Sequence, residues 1–155
     1  MKLAYVDACV WIGLVEGLTA YQPKIRAALK NLALDNWVLC TSDAVRLEVL
    51  IGPLRTKQAP LATAYRAILE TTPVLKTPKS VFTDALSIAE SERIKAMGAV
   101  HIAIANHYGC GRFVTTDPRF VSLSLLTPLW IDLDSTDVPE DSSDEAIRAA
   151  DDHAG

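Results

Sequence analysis

Cysteine is scarce in this 155-residue chain: Cys9, Cys40 and Cys110 are the only three. No two of them have a spacing used by disulfide or zinc frameworks, so they read as buried thiols of a reducing cytoplasm. Long hydrophobic runs are also missing. Half of the residues are hydrophobic, yet nothing approaches the ~18 consecutive apolar residues of a bilayer-spanning helix, and no membrane partner is expected. The most apolar piece, residues 97–105, carries His101. Lys2 followed by Asp7 inside the first apolar stretch does not read as a secretory leader. Internal repeats are absent. A glycine-rich phosphate loop is lacking too, because "GCGRF" precedes a β-rich run whereas such loops precede a helix.

Positive charge is nearly missing from the C-terminal end. From Asp132 onward there are nine acids and one base, Arg148, out of 19 acids and 15 bases in all. Ten acids and fourteen bases remain for residues 1–131. A basic body suits a polyanionic partner. The expected division is a domain over residues 1–133 and an acidic, mobile tail over 134–155. A tail lying across the basic surface would compete with such a polyanion.

The rest of the chain alternates between β-rich and helical patterns. Residues 3–6, 36–40, 73–77, 112–116 and 128–133 read as strands. Helical patterns fall between them, over the stretch after Asp7 with a break near Gly17, then 24–32, 42–51, 61–70, 80–97 and 98–108. Pro23 suits a first turn. Ser42 is placed to cap a helix that Gly52-Pro53 would stop, and Ser80 or Thr83 would cap the one before Gly98. One domain of this length can bury a core. The expected class is α/β, with a mainly parallel sheet of four to five strands and helices on both faces. In such sheets ligands bind beyond the carboxyl ends of the strands. Asp7 follows the first strand, Glu48 lies in the helix after the second, and Asp117 follows the fourth, so three carboxylates should gather at one edge.

Four stretches, "YVDACVWIGL", "TSDAVRLEVLIG", "GAVHIAIA" and "FVTTDPRF", resemble in order and spacing the blocks of a PIN domain. The resemblance covers residues 2–131 and is strongest to the VapC-type ribonuclease toxins of prokaryotic toxin–antitoxin pairs. It implies an α/β/α sandwich that cuts RNA with Mg²⁺ or Mn²⁺. It also implies a homodimer, here on apolar helix faces, and a cognate antitoxin whose C-terminal segment covers the acidic cleft. Three of the family's four acids match Asp7, Glu48 and Asp117, which would act in catalysis and hold the metal. The third normally opens a helix written Asp-Ala-x-His-x-Ala, and Gly98 stands in its place.

Hard carboxylate oxygens suit Mg²⁺, and clustered carboxylates need a cation to neutralise them. Losing one acid is expected to weaken metal binding and turnover without abolishing either. Since glycine caps a helix nearly as well as aspartate, Gly98→Asp is expected to leave the fold intact and to raise metal affinity about tenfold, which is about 1.4 kcal/mol. Asp84 would compensate if the start of its helix reached the same edge, but it reads first as a solvated first-turn acid favoured by the helix dipole. Cys9 sits two residues after Asp7, where the family commonly has Ser or Thr. Thr115 and Thr116 stand beside Asp117 and would orient a metal's water. His101 reads as a hydrogen-bonded core histidine, and His101, His107 and Cys110 match no zinc spacing. The alternative to a weakened ribonuclease is a catalytically inactive PIN-like domain that binds RNA or a protein. Without the resemblance, a small α/β binding domain remains open.

Overall fold

The computed structural model describes residues 1–136; the acidic segment expected from 134 lies, past Thr136, outside the described residues. The elements run β1 (Lys2–Val6), α1 (Ala8–Glu16), α2 (Gln22–Leu34), β2 (Trp37–Ser42), α3 (Asp43–Arg55), α4 (Ala59–Glu70), β3 (Val74–Leu75), α5 (Val81–Glu92), α6 (Ala96–His107), β4 (Arg112–Thr115), a 3-10 turn (Pro118–Phe120) and β5 (Pro128–Trp130). The sheet has five strands in the order β3-β2-β1-β4-β5, and every pairing is parallel. This is the expected α/β class with a parallel central sheet.

The central strand shows why. Tyr5 and Val6 are fully buried, as are Phe113 and Val114 on the neighbouring β4. A strand covered on both faces reads as a continuous apolar run rather than an alternating one. Ile25 of α2, Tyr65 and Leu69 of α4, and Ile102 and Ile104 of α6 complete the core from the helical layers. The chain steps outward from β1 through β2 to β3, then returns to place β4 on the other flank of β1. The direction therefore reverses between β1 and β4, and a crevice opens at their carboxyl ends.

The helix boundaries differ from expectation in two places. Gly52-Pro53 does not stop α3, which continues to Arg55 with a buried Pro53 inside it. Pro53 has no N–H to give the carbonyl four residues back, so α3 forgoes one bond there and ends two residues later, at Arg55. The chain from 80 to 97 is not one helix either. α5 ends at Glu92, Arg93 takes a left-handed conformation (φ 54°), and α6 starts at Ala96 after the extended Lys95. Gly98 is consequently the third residue of α6, and Lys95 occupies the cap position. Contacts with the body continue across residue 133. Lys24 Nζ of α2 donates to the carbonyls of Leu133, at 3.0 Å, and of Ser135.

Candidate active site

A cleft of about 440 Å³ opens at the carboxyl edge of the sheet, and Asp7, Glu48 and Asp117 all line it. Asp7 ends β1 and caps α1: its Oδ1 accepts from the Ala8 backbone N–H at 2.8 Å. Its Oδ2 accepts from the Thr115 hydroxyl at 2.9 Å and from the Cys9 thiol at 3.2 Å. The carboxylate is buried and fixed from three sides. Burial, with the Asp7 charge adding to it, pushes the Cys9 thiol up to about 11, so it stays protonated and donates. Thr115 also accepts from the Asp117 backbone N–H at 3.1 Å. One hydroxyl thus ties the two strand-end acids together, whereas Thr116 meets the site at Cys9, its backbone N–H 3.4 Å from Sγ.

Glu48 is held by His101, whose Nε2 lies 2.7 Å from Oε1. His101 is buried, as expected of a core histidine, and its Nδ1 is 2.8 Å from the Tyr5 hydroxyl, which is 2.6 Å from Ser42 Oγ. A carboxylate only accepts, so His101 Nε2 carries a proton and donates to Glu48. Ser42, Tyr5, His101 and Glu48 thus form one hydrogen-bonded row. Desolvation drives the Tyr5 phenol far above its ordinary pKa, which keeps its proton in the row. The same Nε2 stands 3.9 Å from Asp7 Oδ1, so Asp7 and Glu48 flank one ring nitrogen.

Asp117 caps the 3-10 turn, accepting from the Arg119 backbone N–H at 2.9 Å. The Arg119 guanidinium closes on the same carboxylate. Its Nε is 3.0 Å from both oxygens and its Nη2 is 2.6 Å from Oδ2. This fork, with Lys95 nearby, holds the Asp117 carboxyl below its ordinary pKa. Arg93, Lys95 and Arg119 all line the cleft beside the three acids.

Gly98 lines the cleft as well, but it does not cap the helix, and the space over it is taken. A Cβ built there would stand 2.8 Å from Cζ and 3.2 Å from Cε1 of Phe120. That ring is buried and packs against Phe113, with centroids 5.2 Å apart. The expectation that Gly98→Asp is neutral for the fold is therefore corrected: an added side chain must displace a packed ring. Asp84 does not fill the gap. It sits in the first turn of α5, accepts from Ser80 Oγ at 2.7 Å and is not among the residues lining the cleft.

Residue type and burial thus assemble a crevice of three acids and three bases on a parallel sheet. A profile of the PIN domain family matches residues 4–125. The chain belongs to the PIN domain family. No curated protein matches the sequence. Among solved structures, VapBC2 from Rickettsia felis bound to a DNA fragment from its promoter is similar at a TM-score of 0.69 and 13% identity, over 84% of this chain and 100% of that one. DNA-bound VapBC from Salmonella typhimurium gives 0.66 and 14%, over 83% and 98%. VapC20 from Mycobacterium tuberculosis, a sarcin-ricin loop cleaving toxin, gives 0.61 and 20%, over 81% and 99%. At these identities the likeness is one of fold. The three acids stand at the carboxyl edge of that fold, with three basic residues among them.

PIN nucleases generally use divalent metals. Among the described residues, no three His, Cys, Asp or Glu side chains form a group that could hold a metal ion by themselves. The donor set nevertheless suits a hard cation. Mg²⁺ takes one or two carboxylates and keeps several waters, and the cleft offers carboxylate oxygens in an open space. Asp7 and Glu48 are each oriented by a hydrogen bond from behind, the arrangement that steadies ligating carboxylates. Asp117 differs, because a cation from its own chain already covers it. Among the described residues no helix is long and apolar enough to cross a membrane.

Proposed function

We propose that this PIN domain is an RNA-cleaving nuclease of the VapC toxin type that acts with Mg²⁺ or Mn²⁺ and turns over slowly. The observation that carries the reading is the convergence of Asp7, Glu48 and Asp117 on one cleft whose rim is basic. Arg93 and Lys95 draw the RNA backbone to the cleft by charge. Asp7 and Glu48 would hold the cation, with Asp117 as the third carboxylate. A cation bound there supplies neutralisation of charge on the scissile phosphate and activation of water. Thr115 and Cys9 keep Asp7 from rotating, and the row from Ser42 to His101 does the same for Glu48.

The test is cleavage of single-stranded RNA with Mn²⁺. Asp7→Asn keeps the helix cap and removes the charge, and it is expected to lower the rate at least about 100-fold, as loss of a group acting on the reacting phosphate does. Cleavage unchanged in Asp7→Asn would refute the assignment. A second reading, a domain that binds RNA or protein without turnover, is favoured by Gly98 and by the Arg119 fork on Asp117. It predicts RNA binding with no Mn²⁺-dependent products from either chain.

Two partners belong to the same reading. A cognate antitoxin would cover the cleft with its C-terminal segment. A second copy of the chain would cover apolar helix faces: Leu47, Ile51 and Leu54 form an exposed stripe on α3, and Phe82 and Leu86 another on α5. Sedimentation at micromolar concentration is expected to give a dimer mass. A monomer there would remove the homodimer from the reading.

A further inference from the structure

Arg119 combines two properties. Its guanidinium makes three side-chain contacts with Asp117, through Nε and Nη2. Yet its side chain remains 65% exposed, against 19% for Asp117. The fork is thus anchored to a half-hidden acid while its outer face looks into solvent at the rim of the cleft. Arg93 and Lys95 line that same cleft. A guanidinium fork matches carboxylate and phosphate equally well, so the residue has an alternative partner whenever a phosphodiester enters. The carboxylate has no such alternative except a cation.

We propose that Arg119 is a two-position counter-ion, resting on Asp117 in the free protein and moving to a substrate phosphate when a polynucleotide binds, so that phosphate and divalent metal bind cooperatively. The proposal rests on the metal-using reading above. In the free protein a divalent ion must compete with Arg119 for Asp117, and the site is weak for metal. A bound phosphate withdraws the Arg119 guanidinium, frees Asp117 Oδ2, leaves Oδ1 with only its bond from the Arg119 backbone N–H, and places anionic oxygen nearby. The metal then gains two sources of charge at once. Linkage makes the effect mutual: whatever factor the phosphate adds to metal affinity, metal adds to phosphate affinity.

The experiment is a calorimetric titration of the full chain with Mn²⁺, alone and with a saturating single-stranded phosphorothioate DNA oligonucleotide as the phosphate probe. The wild type is expected to bind Mn²⁺ at least about fivefold more tightly with the oligonucleotide. Arg119→Gln is expected to bind Mn²⁺ more tightly than wild type without the oligonucleotide and to show little further gain with it. Arg119→Lys, which keeps the charge and loses the fork, is expected to fall between. Arg119 is exposed and outside the core, so these chains should melt with the wild type. Measurable Mn²⁺ binding that is equal in wild type and Arg119→Gln overturns the proposal and leaves the metal reading standing. No Mn²⁺ binding by either chain, with or without the oligonucleotide, overturns both.

Discussion

Gly98→Ala is expected to lower the melting temperature of this protein, although the same change at an open helix position stabilises by about 1 kcal/mol. The reason is Phe120, whose Cζ would stand 2.8 Å from the new Cβ. Overfilling a packed core costs about 1–3 kcal/mol. The net expectation is a loss of about 1 kcal/mol, or roughly 2–4 °C for a domain of this size. Gly98→Asp meets the same ring and adds a carboxylate beside it. The charge gains some stability in the first turn of α6, but its metal affinity should rise little while the ring blocks the approach. In a Phe120→Ala background the penalty for Gly98→Ala should disappear, giving a coupling energy of about 1 kcal/mol or more in a double-mutant cycle. If Gly98→Ala melts higher than wild type, the ring yields freely, and Gly98 is then only an absent acid.

His101→Ala is expected to be the most damaging single change near the cleft. It removes a buried ring, leaves the Tyr5 hydroxyl without its ring partner, and frees Glu48 to rotate. Cavity and unsatisfied hydroxyl together should cost about 3–5 kcal/mol, seen as a fall in melting temperature of roughly 10 °C. Tyr5→Phe separates the row from the packing. It keeps the ring that stacks on Phe113 at 5.7 Å, and removes only the hydroxyl between Ser42 and His101. A loss of about 1–3 kcal/mol is expected from the two groups left unpaired. Stability unchanged in Tyr5→Phe would mean that water replaces the hydroxyl, and the row would have no structural role.

The acids were legible because they sit where the chain leaves a strand or starts a capped helix. Asp7 and Asp117 follow short apolar runs, and Ser42 sets the phase of the helix that carries Glu48. The α/β alternation was legible for the same reason, since runs such as "LAYV" and "FVTT" are too short for helices and too apolar for a surface. The boundary between α5 and α6 was not legible. Arg93 adopts φ 54° with no glycine or asparagine to announce it, and the shift moved Gly98 from a helix cap into the first turn. The contact of Phe120 with Gly98 was invisible as well, because it joins residues from separate elements. Arg119 reads in sequence as one more surface base two residues after an acid. Only the backbone of the 3-10 turn brings its fork onto Asp117.

The strand order β3-β2-β1-β4-β5 also sets when this site can exist. β1 is made first, but its second neighbour is β4, and the hydrogen bond from Thr115 to Asp7 joins residues 108 apart in the chain. Contacts of that separation are entropically slow to close. On a ribosome the N-terminal strands and helices can pair as they emerge. Asp7, however, has no Thr115 behind it, and no crevice beside it, until most of the chain has left the exit tunnel. Assembly of the acidic crevice is therefore a late event in biosynthesis, and an incomplete chain released early carries the first two acids without the means to use them.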